Sequence, residues 1–216
     1  MPLPLSCPLG CANSECTPYA QDKRRHYAQC PACKLVFVYP DYLPSAEQER
    51  LEYELHENHS DDPGYRKFLM RLAMPLLNNL RPASRGLDFG CGPTPLLARI
   101  FEEDGHSMAI YDPFFFPDDA VLNGPYDFIT CTEAIEHFHH PARELARLDR
   151  LLSNGGWLAI MTKRVISQDR FQQWHYKNDP THVCFFSDET FLNIGQQFGY
   201  EVHFVENDVV LMQKIP

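Results

Sequence analysis

Two glycines directly after a short apolar run are the first residues of this sequence with a spacing that could bind a ligand. The stretch GLDFGCGPTPLLARIF covers residues 86–101 and places Gly90 and Gly92 between a strand pattern and a helix pattern. A dinucleotide site has a third glycine three residues further on, where this chain has Pro95. Asp88, just before the turn, would repel a pyrophosphate and attract a cation. The turn therefore predicts a ligand with a positive charge and no phosphates.

A second acid indicates that this ligand is a nucleoside. Asp112 ends the next strand pattern, SMAIYD, twenty residues after Gly92. This is the usual place for an acid that accepts hydrogen bonds from ribose hydroxyls. A cationic nucleoside without phosphates matches S-adenosylmethionine, which is the predicted cofactor.

A polar and aromatic loop after a later strand pattern offers groups for proton transfer. The stretch QQWHYKNDPTHVCFFSDETF contains Tyr176, Asp179 and His182. Such loops lie at the carboxyl edge of a parallel sheet, where ligands bind, and an imidazole can accept a proton near neutral pH. We predict these three as the catalytic residues, with His182 as general base. The alternative is a turn at Asp179-Pro180, with His182 hydrogen-bonded in a partly buried wall.

The stretch TEAIEHFHH offers ligands for a divalent cation. Glu133, Glu136 and His137 are spaced i, i+3 and i+4, and so share one face if the segment is helical. Together with His182 they could hold Mg²⁺, Mn²⁺ or Zn²⁺ beside an acceptor hydroxyl and lower its pKa. In the alternative interpretation, the acids are only favoured by the dipole at a helix start.

Five of the eight cysteines lie within the first 33 residues. Cys7, Cys11, Cys30 and Cys33 give the pattern C-x3-C followed by C-x2-C, which is typical of zinc ribbons. Four thiolates leave no open position on the metal, so the predicted zinc is structural. Two alternatives stay open: Cys16 replaces Cys11 as a ligand, or the site holds no metal.

The elements that must position these residues follow an α/β pattern. Strand-like runs alternate with helical ones from residue 83 onward, which predicts a parallel sheet covered by helices. Two strand patterns around Asn207-Asp208 predict a terminal antiparallel hairpin. A capping box at Ser45 and Gln48 predicts a helix over 45–57. The predicted domains are a cysteine module (residues 1–42), a helical linker or lid (43–82) and a main domain (83–216).

Composition restricts the partners of the chain. Its 216 residues carry 19 basic and 29 acidic side chains, a formal charge of −10. This balance disfavours nucleic acid, because affinity for a phosphate backbone depends on positive charge. The sequence predicts no signal peptide and no membrane span, and therefore a soluble, cytoplasmic protein. It does not predict an oligomeric state.

Several motifs, in order along the chain, resemble the class I S-adenosylmethionine-dependent methyltransferases, in particular the small-molecule group with an N-terminal zinc-ribbon-like segment. LDFGCGPTP resembles the first motif, IYDP the ribose acid, YDFITCTEAIEHF the fourth-strand motif and LLSNGGWLAIMT the fifth strand. The resemblance implies a Rossmann-like methyltransferase fold: a mostly parallel seven-stranded sheet that ends in an antiparallel hairpin, preceded by a small zinc-ribbon-like module.

The resemblance also implies the division of the cofactor site. The Gly90–Gly92 backbone approaches the methionine portion, and Asp112 binds the ribose. Leu122 and Asn123 flank the adenine, while Thr132 and Glu133 line the methionine side. The full predicted set is Asp88, Gly90, Cys91, Gly92, Asp112, Leu122, Asn123, Thr132 and Glu133.

The first hypothesis is thus methyl transfer to a small molecule, at a hydroxyl oxygen. A hypothesis from another class is a non-catalytic adaptor, in which the cysteine module binds a partner. A third is a metal-assisted methyltransferase, because Glu133, Glu136, His137 and His182 resemble the metal ligands of small-RNA 2′-hydroxyl methyltransferases.

Overall fold

A computed structural model describes residues 5–12, 15–54 and 62–216 of the chain. Its strands are β1 (Thr17–Gln21), β2 (His26–Gln29), β3 (Val36–Val38), β4 (Arg85–Phe89), β5 (Ser107–Tyr111), β6 (Tyr126–Thr132), β7 (Leu152–Met161), β8 (Cys184–Phe185), β9 (Tyr200–Phe204) and β10 (Val209–Lys214). Its α-helices are α1 (Ala46–Glu54), α2 (Pro63–Leu77), α3 (Leu96–Glu103), α4 (Pro141–Leu151), α5 (Gln168–Gln172) and α6 (Asp188–Phe198). Short 3₁₀ turns cover Pro40–Tyr42, Asp119–Asn123, Ile135–His137 and His175–Asn178.

The main sheet has the strand order β5-β4-β6-β7-β10-β9. The pairs among β5, β4, β6 and β7 are parallel, whereas β10 runs antiparallel to both β7 and β9. The predicted Rossmann-like fold and terminal hairpin are confirmed. The predicted number of seven strands is wrong, since the described residues form six strands in this sheet.

The difference arises at β5, which is an edge of the sheet, because the described segment between β5 and β6 contains the 3₁₀ turn at Asp119–Asn123 and no strand beside β5. The chain after β7 adds no parallel strand to this sheet either. The next extended segment forms β8, which pairs with β3 through Val36–Phe185 and Phe37–Cys184. A second sheet, of order β1-β2-β3-β8, results. The cysteine module thus shares its sheet with a segment from the other end of the chain.

Period-two alternation in the central strands separates the two faces of the main sheet. Ala159 and Met161 of β7 pack with α2 and α3 in one cluster, while Leu158 and Ile160 pack with α4, α6 and the cysteine module in the other. Both faces are therefore covered, and the carboxyl ends of the parallel strands are left as the place for a ligand.

Helix α1 begins directly after Ser45. The backbone N–H of Ser45 donates to the Gln48 side chain at 2.8 Å and the N–H of Gln48 donates to Ser45 Oγ at 3.3 Å, which confirms the capping box. Helix α1 is described to Glu54; the last part of the predicted helix, residues 55–57, lies outside the described residues. Of the described helices, none combines the length and apolar character that crossing a membrane requires.

Candidate active site

The glycine turn follows β4 and lies close to the end of β5 and to Ala134, just after β6. Gly90 and Gly92 have φ angles of +76° and +63°, a region that side chains disfavour. A Cβ at Gly90 would also lie 2.6 Å from the Cβ of Ala134. The N–H groups of Gly90 and Cys91 donate to the carbonyl of Tyr111 at 2.8 and 3.2 Å, so the turn is tied to the end of β5.

A cavity of 820 Å³ opens at this turn, over the carboxyl ends of β4, β5 and β6. Its volume is at the upper end of the range for small-molecule sites, so it has room for a cofactor and a second ligand. Most of the predicted cofactor residues line it: Asp88, Gly90, Cys91, Gly92, Asp112, Thr132 and Glu133. Asp179 and His182 line it as well.

Two acids on the glycine side of the cavity carry raised pKa values. Burial raises the pKa of Asp88 to about 6, against a hydrogen bond of 2.7 Å from Thr130 Oγ1. Burial also raises the pKa of Glu133, whose backbone has a positive φ of 46°. Removing these carboxyls from water favours their neutral forms, and a bound cation would favour the charged forms. This side of the cavity therefore fits the sulfonium and ammonium groups of S-adenosylmethionine.

The charge of Asp88 makes cofactor selectivity depend on pH. Asp88 is ionised above about pH 6, and the sulfur of S-adenosylmethionine is positively charged whereas that of S-adenosylhomocysteine is neutral. We therefore expect the ratio of the affinity for S-adenosylmethionine to that for S-adenosylhomocysteine to rise about three- to tenfold from pH 5 to 7.5. Calorimetry with both ligands at each pH measures this ratio. In Asp88→Asn this affinity ratio should change little with pH. A ratio that is independent of pH in the unmodified chain would contradict the role given to Asp88.

Asp112 is already held by three backbone amides. Its Oδ2 accepts from the N–H of Gly92 at 3.0 Å, and its Oδ1 from those of Phe114 and Phe115 at 2.9 and 3.1 Å. A carboxylate has about four lone-pair sites, so room for a ribose hydroxyl remains. Asp112 thus also fixes the glycine turn against the loop after β5.

We expect Asp112→Asn to weaken S-adenosylhomocysteine binding by about 1–3 kcal/mol, because the amide loses the charge and presents donors to backbone donors. Calorimetry measures the effect, and Asp119→Asn, at an exposed carboxyl of the same region, is the control. Equal affinities of the two variants would remove Asp112 from the site.

The structure does not bring the predicted adenine residues to the cavity. Leu122 packs against the main core, and the Asn123 side chain donates to the carbonyl of Ala120. Phe114 and Phe115 line the cavity instead. The sequence analysis did not select these residues, although the run PFFFP beside Asp112 is a local signal. Tyr65, Phe68 and Leu69 of α2 line it too, with no motif to distinguish them from core residues.

The other side of the cavity carries two histidines with the same hydrogen-bond arrangement. Nδ1 of His182 lies 2.7 Å from the carbonyl of Tyr176, and Nδ1 of His137 lies 3.1 Å from that of Thr181. A carbonyl only accepts, so each neutral ring carries its proton on Nδ1 and its lone pair on Nε2. Asp179 Oδ2 is 3.7 Å from Nε2 of His182. Both rings line the cavity, with centroids 4.7 Å apart.

Tyr176, the third predicted catalytic residue, is not among the described residues that line the cavity. Its hydroxyl donates to the fully buried Glu136 carboxylate, and burial raises the pKa values of both groups. The other carboxylate oxygen, Oε2 of Glu136, is buried and has no hydrogen-bond partner among the described residues. Tyr176 therefore holds Glu136 through its hydroxyl and the His182 ring through its carbonyl.

Three of the four candidate divalent-cation ligands converge. One ligand atom each from Glu136, His137 and His182 lies within 4.8 Å of the others. Glu133 lies outside this group, because its left-handed backbone ends the strand before the 3₁₀ turn at 135–137. The condition for a shared helical face is therefore not met, since only Glu136 and His137 of the three lie in the 3₁₀ turn.

The four predicted zinc ligands also converge. The thiol sulfurs of Cys7, Cys11, Cys30 and Cys33 lie within 4.8 Å of one another, with 3.6 Å between Cys7 and Cys33. Cys16 is buried nearby but is not in this group. Four converging thiols are the donor set that a structural Zn²⁺ prefers.

The sheet is mixed and has a parallel half, and a glycine turn follows its first parallel strand. Acids lie at the ends of these strands. Together these features define an S-adenosylmethionine-dependent methyltransferase. The model of the methyltransferase domain family matches residues 58–204. The chain belongs to this family and is such an enzyme.

Solved structures share the fold. The chain is similar to 1,6-didemethyltoxoflavin-N1-methyltransferase from Burkholderia thailandensis, crystallised with 1,6-didemethyltoxoflavin and S-adenosylhomocysteine: identity 15%, TM-score 0.53, covering 92% of this chain and 99% of that one. It is also similar to an O-methyltransferase family protein of the same organism: identity 13%, TM-score 0.52, covering 81% and 65%. The comparison with curated proteins finds no match.

Proposed function

We propose that the chain transfers a methyl group from S-adenosylmethionine to a hydroxyl oxygen of a small molecule, with His182 as general base. The observation that carries this proposal is the division of one cavity into two sides. Buried acids face the glycine turn, and a histidine with its lone pair on Nε2 lies on the other side. The first side suits a cation and the second suits a proton donor.

When bound, S-adenosylmethionine supplies an electrophilic methyl group on a positively charged sulfur. The chain's own residues position and polarise: Asp88 and Glu133 supply negative charge, and Asp112 holds the turn. Nε2 of His182 is the atom that takes the acceptor's proton, while the Tyr176 carbonyl holds Nδ1 and stabilises the imidazolium. Asp179 adds a negative charge 3.7 Å away. Positioning supplies the rest of the rate in such a displacement.

The test uses methyl-labelled S-adenosylmethionine and a small-molecule extract. We expect label in a small molecule whose new methyl is on oxygen, as judged by NMR of the purified product. Label on nitrogen or carbon would contradict hydroxyl transfer. A chain that binds no S-adenosylhomocysteine would be the adaptor instead.

A metal-assisted version of this reaction is favoured by Glu136, His137 and His182. In both histidines Nδ1 donates a hydrogen bond to a carbonyl, which leaves the lone pair on Nε2. Metal-bound imidazoles show the same arrangement. Glu136 adds a buried oxygen, Oε2, to which no other described residue hydrogen-bonds. A divalent cation there would lower the pKa of an acceptor hydroxyl.

Cation binding separates this version from simple base catalysis. Titration of the zinc-loaded chain with Mn²⁺ should show one further site, which His137→Gln weakens about tenfold or more. Absence of a second site would leave His182 as the base.

We also infer that Cys7, Cys11, Cys30 and Cys33 hold a structural zinc. Their convergence supports it, and a module of this size has too little core of its own to fold without such a crosslink.

A further inference from the structure

The turn between β1 and β2 carries a buried arginine to which the proposed chemistry gives no role. Arg25 is only 6% exposed, and a guanidinium has five N–H donors in one planar fork. One of them, on Nε, donates to the hydroxyl of Tyr27 at 3.3 Å. Such a charge is expensive to bury unless its remaining donors are also satisfied.

The other four donors are directed at one later segment, residues 177–182, which we call the histidine loop. Nη1 donates to the carbonyls of Pro180 and His182 at 2.9 and 3.0 Å. Nη2 donates to the carbonyls of Asp179, at 2.8 Å, and Lys177. Because the fork is rigid, four carbonyls can reach it only if the backbone of the loop wraps around it. The loop conformation therefore depends on Arg25.

The neighbours of Arg25 strengthen this attachment. Arg24 donates to the carbonyl and the side-chain oxygen of Asn178 at 3.2 and 3.0 Å. Lys177 of the loop donates in return to Asp22 at 2.9 Å. The turn of residues 22–25 thus holds the histidine loop through both backbone and side chains.

The end of the loop is fixed from the opposite side. The N–H of Val183 donates to the carbonyl of Glu136 at 2.9 Å, and its carbonyl accepts from the N–H of Val38 at 2.9 Å. His182 therefore lies between two anchors: the Arg25 guanidinium and the strand pairing that begins at β8. A side chain held at both ends of a short backbone span has little freedom to move.

The β1–β2 hairpin that carries Arg25 also leads to the four converging cysteines. Strand β2 runs from Arg25 directly into the turn at Cys30–Cys33, where the N–H of Lys34 donates to the carbonyl of Cys30 at 3.0 Å. The cofactor side of the cavity, in contrast, is built on β4, β5 and β6. The side of the cavity that carries His182 is thus held by the cysteine module, whereas the cofactor side is held by the main sheet.

We propose that Arg25 is a positioning residue for His182, through which the cysteine module sets the acceptor side of the cavity without affecting the cofactor side. This inference rests on the proposed role of His182. It goes further by giving the module a part in the active site.

Hydrogen exchange of the whole 216-residue chain tests the proposal. In Arg25→Gln, we expect amides of residues 177–183 to exchange about tenfold faster or more, while those of β4 and the affinity for S-adenosylhomocysteine stay within about twofold. Arg25→Lys keeps the charge and three donors, so it should restore part of the protection. Long-range proton–nitrogen NMR should show a smaller fraction of His182 with its proton on Nδ1 in Arg25→Gln, and an intermediate fraction in Arg25→Lys.

Lys23→Gln is the matched control, since it removes a positive charge from an exposed position of the same turn and should change none of these measurements. Unchanged exchange in the histidine loop of Arg25→Gln would overturn the proposal. So would an equal acceleration in the loop and in β4, which would show a general loss of stability. Failure of the unmodified chain to bind S-adenosylhomocysteine would instead contradict the proposed function, and the exchange results would still decide the role of Arg25.

Discussion

Replacing Cys11 by serine is expected to release the bound zinc and unfold the cysteine module. Its sulfur is one of four within 4.8 Å of one another, and a structural Zn²⁺ contributes on the order of 10 kcal/mol to the folding of small modules. Metal analysis after dialysis against a mild chelator should fall from about one zinc per chain to nearly none. The melting temperature should fall by at least about 10 °C, because several kcal/mol are lost from a domain of this size.

Cys16→Ser is the matched control for this change. It removes a buried thiol from the same segment, yet that thiol is outside the converging group, so zinc content should stay near one per chain. Loss of zinc in Cys16→Ser with retention in Cys11→Ser would show that the first pair of ligands is Cys7 and Cys16. Absence of metal from the unmodified chain would show a module that packs without it.

Features encoded in neighbouring residues could be predicted from the sequence. The glycine turn and its acids depend on local conformation, and the structure places them around one cavity. Each pair of spaced cysteines is local as well, and the two pairs converge. The terminal hairpin could be predicted for the same reason, since its two strands follow each other directly in the sequence.

Long-range contacts without a periodic pattern could not be predicted. Strand β8 has two residues, too few to show alternation, and its partner β3 lies far away in the chain. Nothing in the run KRR at 23–25 distinguishes Arg25 from its two exposed neighbours, and only the folded chain shows Arg25 enclosed by carbonyls. The spacing of Glu133, Glu136 and His137 is compatible with a helix, but the backbone of Glu133 is left-handed. This conformation removes Glu133 from the cluster of Glu136 and the histidines.

His182→Gln is expected to lower the rate of methyl transfer by about 10²- to 10⁴-fold, the usual contribution of a general base. Glutamine can still donate a hydrogen bond to the carbonyl of Tyr176, so the histidine loop should keep its conformation. Its amide cannot accept the acceptor's proton, and this is the function that the variant removes. Turnover with the acceptor identified by methyl labelling gives the rate, and calorimetry with S-adenosylhomocysteine should give an affinity within about twofold of the unmodified chain.

Two further variants identify the reason for the loss. His203→Gln, at a half-buried position of edge strand β9 and away from the residues that line the cavity, should leave both rate and affinity unchanged. Glu136→Gln replaces the carboxyl ligand of the candidate metal site by an amide and leaves the His182 imidazole in place. If His182 acts as a simple base, Glu136→Gln should be much less damaging than His182→Gln; if both act through a cation, the two variants should lose activity equally. A His182→Gln enzyme with full turnover would contradict both, and would mean that positioning alone accounts for the catalysis.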